Sequence, residues 1–93
     1  MSIREIIKQN ETVIVDVRTP QEFSGGNVAN SINIPLQELP AHVGDLTKIN
    51  GNIVLCCASG GRSSIATQML QGQGFRNVYN GGGWMDVNYY KNN

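Results

Sequence analysis

Residues 52–73, NIVLCCASGGRSSIATQMLQGQ, constrain the fold more than any other stretch of the chain. Ile53, Val54 and Leu55 have the composition of a buried strand. The apolar run ends on Cys57, and Ala58, Ser59, Gly60 and Gly61 follow, all small enough to let several backbone N–H groups turn toward one point. Beyond Arg62, Ser63 or Ser64 is expected to cap a helix with Ile65, Ala66, Met69 and Leu70 on one face. Gly74 suits the left-handed position after that helix, and Phe75 is expected to pack back on Leu70. The pattern predicts a strand, a tight loop and a helix N-terminus, with Cys57 at the loop's first position. An N–H-lined loop that opens a helix binds oxyanions.

That placement bears on thiol chemistry. A free cysteine has a pKa near ~8.5, so only about 3% is thiolate at pH 7. Lowering the pKa to ~6.5 requires about 2.7 kcal/mol of differential stabilisation. A helix N-terminus supplies ~0.3–1 kcal/mol, which falls short by itself. Arg62 and inward-pointing loop amides are the groups expected to supply the rest and to hold an anionic substrate. Cys57 is therefore the candidate nucleophile. Cys56, inside the apolar run, reads as a buried and inert thiol.

The remaining chain predicts alternating helices and strands. Ser2 and Glu5 fit a capping box for a short helix whose buried stripe is Ile3, Ile6 and Ile7. Residues 12–17, TVIVDV, read as a central parallel strand. Thr19, Pro20 and Glu22 mark a second helix start, and Gly25 and Gly26 its end. Residues 31–34 form a brief strand halted by Pro35, and residues 40–46 a helix with Leu39, Val43 and Leu46 inward. Residues 75–79 lead into a last short strand, Gly81, Gly82 and Gly83 turn the chain, and Trp84 covers the core. The C-terminal helix reads as curtailed after Trp84, and the tail of residues 89–93, YYKNN, as frayed. The sum is an α/β fold, a mostly parallel central sheet flanked by helices on both faces.

Whole-chain properties exclude several classes. Ninety-three residues suit one domain, residues 1–93, with one modest core. A formal net charge of zero gives no electrostatic case for nucleic acid or an anionic membrane. No apolar run approaches a bilayer-spanning length, and the first residues lack a signal-peptide core. Two adjacent cysteines cannot form a disulfide framework, so a reducing, cytoplasmic setting is expected. They are also too few for a zinc site, and the glycine triplet lacks the spacing of a dinucleotide fingerprint. Asp16 and Arg18 read as a structural ion pair, Glu22 as a cap or arginine partner, and His42 as a surface residue.

Cys57-Ala58-Ser59-Gly60-Gly61-Arg62-Ser63 resembles the active-site loop of the rhodanese family of single-domain thiosulfate sulfurtransferases. Four residues separate Cys57 from Arg62, as in the sulfur-transfer loop, whereas tyrosine phosphatases carry five. Val15-Asp16-Val17-Arg18 with Glu22-Phe23 is similar to the family's first signature. The segment from Gly26 to Pro35 resembles its Gly-His-Ile-x-Gly-Ala-Ile-Asn-Ile-Pro run, with Asn27 in place of the histidine and Asn30 in place of the second glycine. Gly74-Phe75-Arg76-Asn77-Val78 and Gly82-Gly83-Trp84 fill the closing positions.

The resemblance implies a small rhodanese-like α/β domain in which Cys57 accepts a sulfane sulfur as a persulfide. Arg62, Ala58, Ser59, Gly60, Gly61 and Ser63 would bind a small anionic donor such as thiosulfate. Cyanide, a thiol or a protein cysteine would be the acceptor, with no cofactor or metal. Ala58 stands where many members carry a basic residue, which favours a donor other than thiosulfate. A persulfide carrier or partner-recognition module, or a phosphatase or arsenate reductase on the same scaffold, are the alternative readings.

Overall fold

The computed structural model describes residues 1–93. Local signals begin each early element. Helix α1 (Ile3–Ile7) opens on a complete capping box between Ser2 and Glu5, and α2 (Pro20–Ser24) on a second one between Thr19 and Glu22 with Pro20 in the first turn. Strands β1 (Val13–Asp16), β2 (Ile32–Asn33), β3 (Ile53–Cys57) and β4 (Val78–Gly83) are the extended segments. A 3-10 turn (Leu36–His42) and α3 (Val43–Leu46) join β2 to β3, α4 (Gly61–Gly72) joins β3 to β4, and α5 (Trp84–Asn92) ends the chain.

The four strands form one sheet in the order β2-β1-β3-β4, with every pairing parallel. β1 and β3 are its centre, and β3 is buried at every residue. Alternation along these strands sends neighbouring side chains to opposite faces. Val15, Val17, Ile53, Leu55 and Cys57 meet Leu39, Leu46, Ala66 and Leu70 from the 3-10 turn, α3 and α4. Ile14, Val54 and Cys56 meet Ile6, Ile7, Val28 and Val87, so α1 and α5 cover the other face. The expected parallel α/β architecture with helices on both faces is present. No helix is long and apolar enough to cross a membrane.

Four local expectations are corrected. The segment expected as one helix over residues 40–46 is α-helix only from Val43; residues 40–42 belong to the 3-10 turn that starts at Leu36, where Pro40 has no N–H to make the α-helical bond to Leu36 O. Strand β4 runs through the glycines instead of turning there. Its register against β3 shifts between Leu55 and Cys56, so that Leu55 pairs with Asn80 and Cys56 with Gly82. Gly81 suits that bulge because a Cβ there would lie 2.7 Å from both Val54 and Val87. The buried residues of α4 are Ser63, Ala66, Thr67 and Leu70, whereas Ile65 is 58% exposed.

The largest correction concerns the C-terminus. The helix expected to be curtailed after Trp84, with residues 89–93 frayed, runs on as α5 to Asn92, and its Val87 is fully buried, worth about 1.5–3 kcal/mol. Tyr90 and Trp84 pack on the same cluster. The helix is tied down further by Lys91 Nζ donating to Ala29 O at 2.6 Å and Arg4 Nη2 donating to Asn93 O at 2.9 Å. Asn30 and Gly74 do adopt left-handed φ values of 66° and 97°, as their positions suggest.

Candidate active site

Cys57 ends β3, and its side chain turns to the α4 face of the sheet with 1% exposure. The loop then turns at Gly60, whose φ of 104° favours glycine, and α4 begins at Gly61 without any side-chain cap. Neither Ser63 nor Ser64 caps the helix. The Cys57 sulfur takes that role instead. It accepts hydrogen bonds from the Gly60 N–H at 3.0 Å and from the Ser63 N–H at 3.4 Å. Ser63 is the third residue of α4, and its N–H is one that a capping atom ordinarily satisfies.

Ser63 makes the second layer. Its Oγ lies 3.4 Å from the Cys57 sulfur, 3.2 Å from Gly60 O and 2.6 Å from Asn80 Oδ1. Thr67 Oγ1 donates to Ser63 O at 2.7 Å, fixing the first turn of α4. Burial pushes the Cys57 thiol up, but hydrogen bonds from the Ser63 hydroxyl and the N–H groups of Ser63, Gly60 and Ser59 outweigh it. They hold Cys57 below its ordinary value. Ala58, Ser59 and Gly61 are exposed on the outer side of the loop.

Arg62 departs from the expected arrangement. Its guanidinium forms a two-pronged pair with Glu22, Nη1 to Oε1 at 2.7 Å and Nη2 to Oε2 at 2.9 Å. The same carboxylate accepts the Thr19 N–H at 3.1 Å, so one side chain serves both as helix cap and as arginine partner. The Arg62 hydrogen bonds, followed by the Thr19 N–H, bring Glu22 down to about 2. Loop N–H groups and the Ser63 hydroxyl, rather than a guanidinium, therefore make direct contact with sulfur.

Cys56 and its surroundings face the other way. It pairs in register with Asp16, and burial, followed by the Asp16 charge, pushes its thiol up to about 12. Arg18 contacts Asp16 through Nε at 2.9 Å and Nη2 at 2.7 Å, donates to Gly26 O at 2.7 Å, and lies 4.8 Å from the Trp84 ring centroid. This buried pair fastens the end of β1 to the α2 exit and to α5, as a structural ion pair should. His42 is a surface residue 3.8 Å from Asp45. Asn27 Nδ2 donates to Phe23 O at 2.8 Å.

Asn80 was not singled out by sequence reasoning. Its signal was the Asn-Gly-Gly run, in which an asparagine side chain accepts the N–H two residues on. Here Gly82 N–H donates to Asn80 Oδ1 at 2.9 Å. That turn aims the same oxygen at Ser63.

A parallel α/β sheet with a cysteine held by loop amides at the end of a central strand defines a class of cysteine-centred sites. The chain belongs to the Rhodanese-like domain family, whose description matches residues 2–88. It is 31% identical over 70 residues to a sulfurtransferase of Allochromatium vinosum, covering 75% of this chain and 64% of the relative. It is 37% identical over 79 residues to thiosulfate sulfurtransferase 16, chloroplastic, of Arabidopsis thaliana, covering 69% of this chain and 62% of that protein. The matched regions thus span less than two thirds of these two relatives. Among solved structures, rhodanese with anions from E. coli is similar at 30% identity and a TM-score of 0.74, covering 81% of this chain and 89% of that one.

Proposed function

We propose that residues 1–93 act as one rhodanese-like sulfurtransferase domain with Cys57 as its nucleophile. The observation that carries this reading is the Cys57 sulfur at the helix N-terminus, accepting the Gly60 and Ser63 N–H groups. These donors favour negative charge on sulfur in a dry setting, where they count for most. Kinship with sulfurtransferases supports the choice of chemistry.

In the first half-reaction the Cys57 thiolate attacks the outer sulfur of thiosulfate or of another sulfane donor. The donor's S–S bond breaks, sulfite or a thiolate leaves with the electron pair, and Cys57 carries a persulfide. In the second, cyanide, a thiol or a protein cysteine attacks the terminal sulfur and returns the Cys57 thiolate. Amides of Ala58, Ser59, Gly60, Gly61 and Ser63 would bind the anionic donor, with Arg62, now paired with Glu22, as the loop's positive charge. No cofactor enters either step. Two free thiols suit a reducing, cytoplasmic setting.

Intact mass, before and after thiosulfate and then cyanide, tests the reading on wild type and Cys57→Ser. One sulfur gained by wild type only, and removed by cyanide, is the expected result; no gain from any sulfane donor overturns it. Initial rates with donor and acceptor both varied should give the parallel lines of a two-step transfer. The Arg62–Glu22 pair favours a second reading, because it ties up the loop's one guanidinium. On that reading the domain carries sulfur handed over by a protein donor, and thiosulfate is inert while a desulfurase-bound persulfide is accepted.

A further inference from the structure

Three acceptors compete for the single hydroxyl proton of Ser63, and the geometry says which one holds it. Gly82 N–H can only donate, so its 2.9 Å contact identifies the Asn80 atom it meets as the amide oxygen. That same oxygen lies 2.6 Å from Ser63 Oγ and has no proton, so Ser63 is the donor. The 3.4 Å contact between Ser63 Oγ and Cys57 Sγ then has one arrangement, the thiol S–H donating to the Ser63 oxygen. Asn80 Nδ2 steadies the amide by donating to Gly60 O at 3.4 Å.

We propose that Asn80 is a positioning residue that holds the Ser63 proton away from Cys57 and so limits how readily the thiol ionises. When Cys57 ionises, its proton leaves to solvent. Ser63 then turns its hydroxyl from Asn80 to sulfur, exchanging one hydrogen bond for another. The thiolate receives the N–H groups of Ser59, Gly60 and Ser63 together with the Ser63 O–H, but the hydroxyl is given up by Asn80. A thiolate stabilised by every available donor is also a weaker nucleophile, because nucleophilicity falls as the pKa falls. Asn80 keeps part of that reactivity.

The inference rests on Cys57 as nucleophile of the proposed transfer, but its test needs only the thiol. The charged groups around the loop are the Arg62–Glu22 pair, the Asp16–Arg18 pair and Asp86 beside Gly83, and the substitutions leave them all in place. Iodoacetamide labelling of native protein across pH, with peptide mass to assign Cys57, gives the midpoint for wild type, Asn80→Ala, Ser63→Ala and the double variant. Asn80→Ala should lower the midpoint by about half to one pH unit, since the released proton serves the thiolate. Ser63→Ala should raise it. In the Ser63→Ala background the Asn80 substitution should do nothing. An unchanged or raised midpoint in Asn80→Ala, or the same fall without Ser63, overturns the proposal.

Should Asn80→Ala not fold, Asn80→Asp decides, because its carboxylate keeps both contacts of the amide oxygen. Its midpoint should rise more with Ser63 present than with alanine there; equal rises overturn the proposal. Failure of sulfur transfer in every protein, with these shifts intact, would fall on the function alone.

Discussion

Cys56 and Cys57 are neighbours in sequence, and both are almost wholly buried, yet they inhabit opposite chemistry. The strand's alternation puts Cys56 among Ile14, Val54 and Val87, opposite Asp16, and it puts Cys57 beneath the first turn of α4. One thiol meets apolar side chains and a carboxylate; the other meets amide donors and the Ser63 hydroxyl. Burial alone raises both. What separates them is whether the surrounding groups donate to sulfur, and that is decided by one residue of strand register.

The largest expected effect breaks the pair directly. Cys57→Ser should lower sulfur transfer by on the order of a thousandfold or more, whereas Cys56→Ser should keep most of it. The cost of Cys56→Ser appears in stability instead, about 1–3 kcal/mol for a hydroxyl placed in an apolar cluster. Transfer assays with urea melts on both proteins check this. An inactive Cys56→Ser protein that is still folded would reverse the assignment.

Next in size is the support on the Cys56 side. Asp16→Ala removes the carboxylate from a buried pair and leaves Arg18 with two backbone carbonyls and the Trp84 ring as partners. Chemical denaturation should show a loss of about 3–5 kcal/mol. Removing Asp16 should also relax Cys56 downward, since that charge contributes to its rise. A loss below 1 kcal/mol would mean that the pair orients the chain without holding it.

The two thiols should also respond to pH with opposite signs. Cys56 is raised from 9.0 to about 12, so its contribution to stability is complete below about 9 and is lost as pH climbs toward 12. Cys57 is lowered, so its contribution is present above the unfolded value and fades as pH falls through the folded one. Urea melts between about pH 8 and about pH 11 should therefore lose stability less steeply in Cys56→Ala than in wild type, and more steeply in Cys57→Ala. Parallel curves for all three proteins would refute the opposition.

Much of this was legible in the chain. The two capping boxes, the apolar runs of β1 and β3, and the cysteine opening a small-residue loop each carry a local signal, and each lies where expected. Three features were hidden for physical reasons. α4 buries Ser63 and Thr67 to serve the loop, so the apolar pattern pointed to Ile65, which faces solvent. α5 draws its stability from packing against β3, β4 and α1, while its asparagines and tyrosines are poor helix formers. Glu22 was legible as an arginine's partner, but over the 40 residues that separate it from Arg62 the charge pattern gives no guidance on which arginine.

That pair gives the smallest effect and the sharpest question about the Cys57 side. Glu22 is held near 2, so its charge, and the pairing of Arg62, persist through neutral and mildly acidic pH. The pair is half-exposed, which makes it an exchangeable contact rather than a structural necessity. Glu22→Gln keeps a side chain able to complete the Thr19 capping box while removing the negative charge. Arg62 should then swing more readily toward an incoming anion, lowering KM for thiosulfate by about twofold to fivefold with little change in melting temperature. Arg62→Ala should raise KM and abolish the benefit of Glu22→Gln. A KM unmoved by either substitution would mean that amides alone receive the donor. In that case the contrast between the two cysteines rests on backbone geometry, and a protein-borne persulfide becomes the better candidate for what this loop accepts.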